Sequence, residues 1–174
     1  MPPRITCRED ALPALQQAVD QANQVLARPE FYAGIRKHKD FKSTKVKPAT
    51  IAQLIESCEL EFHVDTFEPN EDQGKTLGLF SHKRPTYLSL NATKLANRSG
   101  WSSTFFIEDV ASTIIHESVH AVDHANPDYR FGHKNRKRGS APYWIGNHAF
   151  HLLTHDPVLE LAFDRITEID EVAV

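Results

Sequence analysis

The chain has 174 residues, of which 40% are hydrophobic and 25% charged, with a formal net charge of −3. That is ordinary globular composition on a chain long enough to bury a core. The slight negative charge excludes the strong basic bias of a polyanion-binding or membrane-surface protein, and nucleic acid is not an expected partner.

No stretch approaches the roughly 18 apolar residues of a spanning helix, and no secretory signal peptide follows Met1. The expectation is one soluble domain over residues 1–174, either cytoplasmic or exported by a specialised secretion system. Cys7 and Cys58 are far apart and match no metal spacing, so two free thiols are expected.

Ala11 to Ala27 places Leu12, Leu15, Val19, Ala22 and Leu26 three and four apart, which predicts a helix with one apolar stripe. A second helix is predicted from Glu30 to His38. Asp40 to Lys47 is polar and basic and reads as a loop. Thr50 is positioned to cap a third helix through Ile51, Leu54 and Ile55. Leu60 to Phe67 alternates apolar and polar residues, the period of a half-buried strand. Thr76 to Ser81 and Thr86 to Leu90 are two further strands.

Beyond the break at Ser99-Gly100, Ser102, Ser103 or Thr104 caps a long helix from Phe105 to His124, stopped by Asn126-Pro127. Tyr129 to Gly146 contains Gly132, Gly139, Pro142 and Gly146 and reads as an ordered loop. A helix begins near Asn147, and Asp156-Pro157 opens the last one. Helices, then strands, then helices give an α+β domain.

Seven of the ten histidines lie between His116 and His155, which raises the prior for a metal site. Within the long helix stands His116-Glu117-Ser118-Val119-His120. Residues four apart share a helix face, so two imidazoles converge on one point, as a zinc ion requires. Glu117 is placed to move a proton to and from water at that point. The surrounding Val110, Ile114, Ile115, Val119, Ala121 and Val122 predict a buried helix. Two histidines and a glutamate there are expensive unless they bind something.

The segment from His116 to Asp123 resembles the active-site helix of the zincin metallopeptidases. The resemblance covers this helix and part of the C-terminal segment. It implies a small mixed sheet beside the helix, bound Zn2+, and a protein or peptide substrate lying along an edge strand, for which Thr86 to Leu90 is the candidate. The metzincin position for a third histidine is Asn126 here, so the chain departs from that group. Glu160-Leu161-Ala162-Phe163-Asp164 has the spacing of the gluzincin segment, which implies Glu160 as third ligand and Asp164 orienting a histidine, or the reverse. His133, in Phe131-Gly132-His133, is the rival, as in the SprT-type DNA-associated proteases. Asp123 and His124 lie on the same helix as the first two ligands. Asp123 reads better as a supporting acid.

Tyr143 is a candidate donor to the oxyanion of the transition state, or simply packs its segment onto the core. His148, His151 and His155 recur at helical spacing and flank a cleft or face solvent. The basic cluster Lys134 to Arg138 carries no interleaved aromatic and reads as a solvated loop. Small zincins with this form of helix also resemble bacterial toxin peptidase domains, including those fused to type VI secretion spikes. That resemblance implies an effector role and a cognate immunity protein. A degenerate zincin acting as a binding module is the non-enzymatic alternative.

Overall fold

The computed structural model of the chain describes residues 2–70, 76–98, 103–132 and 139–154. Four strands and six helices appear among them, in the order β1 (Arg4–Cys7), α1 (Pro13–Leu26), α2 (Pro29–Lys37), α3 (Pro48–Glu56), β2 (Glu61–Phe67), β3 (Gly78–Phe80), β4 (Tyr87–Asn91), α4 (Ala92–Arg98), α5 (Ser103–Ala125) and α6 (Ala141–Thr154). The α+β reading therefore holds in its coarse form.

The strands form one sheet in the order β1-β2-β4-β3. β1, β2 and β4 run parallel, with Ile5 opposite Phe62 and Val64 opposite Leu88. β3 is antiparallel to β4. Alternation puts Ile5, Phe62, Val64, Leu88 and Leu90 on the buried side, the period-2 face that a half-covered sheet needs. The two edges are managed differently. At β1, the Asn23 side chain of α1 accepts the Ile5 N–H at 2.9 Å and donates to the Ile5 carbonyl at 2.8 Å, occupying an edge that would otherwise pair with another chain. β3 is the other edge.

Helix α5 is the centre of the molecule and packs against α1, α3, α6, β3 and β4. Val110, Ala111, Ile114, Ile115, Val119, Ala121 and Val122 are all buried on it. Its buried serines are satisfied locally. Ser112 Oγ donates to the Asp109 carbonyl at 2.9 Å and Ser118 Oγ to the Ile115 carbonyl at 2.7 Å, so their burial leaves no lost hydrogen bond.

Four expectations are corrected, and one element, α4, was not predicted. Thr86 to Leu90 is not an edge: β4 lies between β2 and β3, and the edge strand is β3. The first third is not only helical, because β1 precedes α1 and is too short for its alternation to register. α3 begins at Pro48 rather than after Thr50, with Lys47 at the N-cap and proline in the first turn, where its missing N–H costs nothing. Residues 141–146 are helical rather than loop, since α6 starts at Ala141. Finally, α4 follows β4 directly. Asn91 Oδ1 accepts the Lys94 N–H at 3.0 Å, an N-cap bond that starts a helix without a break. The last helix predicted after Asp156-Pro157 lies outside the described residues.

Cys7 and Cys58 are free thiols. Burial pushes both thiols up from their ordinary value, which disfavours the thiolate. No described helix is long and apolar enough to cross a membrane.

Candidate metal centre

The site is built where the middle of α5 passes the edge strand on one side and α6 on the other. The helical i, i+4 relation stacks His116 under His120, and their Nε2 atoms stand 3.2 Å apart. Two nitrogens bound at about 2.0–2.1 Å to one tetrahedral ion lie about 3.3 Å from each other. The observed separation fits that ion. His116, Glu117 and His120 each bring a ligand atom into a group spanning no more than 4.8 Å.

Glu117 is 6% exposed. Its carboxylate lies against β3, and the Phe80 backbone N–H donates to it. Burial pushes its carboxyl up to about 8, with the Phe80 bond pulling partly back. Among the described residues no lysine or arginine forms an ion pair with it. Two imidazoles and a buried carboxyl without a cationic side chain make a donor set suited to a divalent cation.

Backbone close approach makes this geometry possible at two glycines. A Cβ on Gly78 would lie 2.7 Å from Glu117 Oε1 and 2.7 Å from Thr113 Cγ2, so only glycine lets β3 come so near α5. A Cβ on Gly146 would lie 3.0 Å from His116 Cβ. That glycine, read from the sequence as a loop signal, instead lets α6 lie close against the first histidine.

The site opens into a cleft of about 1170 Å³ whose lining includes Gly78, Phe80, His116, Glu117, His120 and Tyr143. Tyr143 sits in the first turn of α6, its ring edge-on to His116 at 4.6 Å between centroids and 79° between planes. Asp123 Oδ1 accepts the Phe131 N–H at 2.9 Å. That bond ties the segment after α5 back to the helix.

The structure therefore brings together His116, Glu117, His120 and Tyr143. Glu160, Asp164 and His133, the three candidates for a further ligand, lie outside the described residues, as do His155 and the basic cluster Lys134 to Arg138. His148 does not flank the cleft. It is sandwiched between Phe31 and Trp144, with centroids 5.6 Å and 5.1 Å away, and its Nε2 donates to the Phe31 carbonyl at 3.2 Å. His151 is likewise not among the cleft residues.

Among the lining residues that sequence reasoning missed are Gly78, His82 and Arg130. A glycine at the start of a three-residue strand is the one local signal among them, since it often marks a close backbone approach. Comparison of the chain with protein-family models, curated proteins and solved structures gives no match.

Proposed function

We propose that the protein is a zinc-dependent metallohydrolase of zincin type that cleaves peptide bonds. The observation that carries this reading is the convergence of the His116 and His120 Nε2 atoms at 3.2 Å beside the buried Glu117 carboxyl, on the wall of an open cleft. His116 and His120 would hold zinc there, and the ion would supply a Lewis acid that acidifies water to a pKa of roughly 7.

The chain's own residues do the rest. Glu117 takes a proton from water at its carboxylate and returns it to the leaving amine. Without a metal, burial pushes its carboxyl up to about 8. A positive charge beside it favours the ionised form and draws that value back. The Phe80 N–H and the approach of Gly78 hold the carboxylate in one place. Tyr143 offers an O–H donor to the oxygen on which charge develops.

The peptide preference rests on β3. It is an edge strand whose three residues all line the cleft, and an extended peptide adds to such an edge by main-chain hydrogen bonds. The substrate class is thus an unfolded or loop segment of a protein.

The test is zinc content and casein hydrolysis by the full chain. Glu117→Gln is expected to keep its zinc and lose hydrolysis by about 10²–10⁴-fold. Zinc content of Glu160→Ala, Asp164→Ala and His133→Ala identifies the further ligand, because one of the three loses the metal under mild chelation and the others keep it. A wild type that cannot be loaded with zinc, or a Glu117→Gln that still hydrolyses, overturns the reading.

A further inference from the structure

A second pair of imidazoles stands on the rim of the same cleft. His82 lies in the turn between β3 and β4, and His124 lies in the last turn of α5. Their Nδ1 atoms are 3.0 Å apart, with ring centroids at 4.9 Å and planes tilted by 57°. The ring of Phe80 packs against both, at 5.3 Å and 5.7 Å, and against His120 at 6.3 Å. Phe80 therefore separates the outer pair from the inner one.

We propose that His82 and His124 form a second divalent transition-metal site, distinct from His116 and His120 and reversibly filled. Nitrogens on one ion at about 2.0–2.1 Å lie about 2.9 Å apart at a right angle and about 3.3 Å apart at the tetrahedral angle, so a spacing of 3.0 Å accommodates ions of either preference. The inner pair is juxtaposed by the pitch of one helix. The outer pair is brought together across 42 residues of chain by two different elements, and no local geometry imposes it.

Both rings are exposed, so binding costs little desolvation and leaves coordination positions open to water or a substrate donor. Among the described residues no third histidine, cysteine, aspartate or glutamate clusters with them. A site with two protein ligands is weaker than one with three, and imidazole ligands select zinc, nickel and copper over magnesium or calcium. A metal there pins the turn after the edge strand to the end of α5 and so fixes the width of the cleft at that end.

The experiment titrates the metal-stripped full chain with Zn2+ alone, by calorimetry and equilibrium dialysis. The wild type is expected to take two equivalents of unequal affinity. His82→Ala and His124→Ala should each lose the weaker one, keep the tighter one and melt as the wild type does without metal. The double variant His116→Ala/His120→Ala should keep the weaker equivalent alone, so this result stands or falls independently of the hydrolase reading. A weaker equivalent that survives both His82→Ala and His124→Ala, or a wild type that saturates with the inner equivalent only, means that the outer pair merely shares a proton, and overturns the proposal.

Discussion

At the scale of single residues, the legible part of the site is the part that helix pitch alone creates. His116, Glu117 and His120 follow from a four-residue spacing in an apolar helix. His82 does not, because its partner is 42 positions away. His148 shows how a histidine of regular spacing serves packing instead. Its ring lies on Gly34, where a Cβ would come within 2.2 Å of Nε2. Burial holds its pKa below the ordinary value, the Phe31 carbonyl opposes this, and nearby His151 adds to the lowering.

That shift has a sign. The folded form keeps His148 neutral while the unfolded chain protonates near about 6.5. Its contribution to stability is complete above that value and is lost as pH falls through the lower folded pKa. Urea midpoints are therefore expected to drop as pH falls below about 6.5. His148→Gln keeps the donor to Phe31 without titrating, so its midpoint should drop less over the same range. An equal drop in both proteins would remove His148 as the cause.

At the scale of elements, sequence pattern located α1, α2 and α5 to within a few residues; α1 presents an apolar stripe and α5 is apolar on most sides. It failed where elements are short or where their punctuation has a second meaning. β1 has four residues. Pro142 and Gly146 read as loop signals, yet the proline occupies the first turn of α6, where it is tolerated, and the glycine is there for contact with α5. Strand order was not legible at all, since pairing β2 with β4 rather than β3 is a long-range choice. The β3–α5 approach gives a direct test. Gly78→Ala places a methyl on the Glu117 carboxylate and is expected to leave zinc content intact while hydrolysis of casein falls by about 10²-fold, the usual cost of misplacing a catalytic group by about 1 Å. A variant with full activity would show that Glu117 needs no such fixing.

At the scale of the whole molecule, the candidate metal centre lies on the helix that organises the core. The buried apolar side chains of α1, α2, α3, the sheet, α5 and α6 form one continuous cluster, so a metal bound on α5 would be coupled to global unfolding. Zinc at a hundred times its dissociation constant adds about 2.7 kcal/mol, which for a chain of this length corresponds to a rise in Tm of about 5–10 °C over the chelated protein. Differential scanning calorimetry with and without chelator reads this directly, and an unchanged Tm would uncouple the histidines from any ion. The close seat of α6 on His116 through Gly146 carries a last consequence, for synthesis. A ribosome delivers α5 and its paired imidazoles before it delivers the helix that walls them in. No nascent chain that stops short of Gly146 has an assembled cleft, and whatever chemistry the site performs stays switched off until α6 has followed α5.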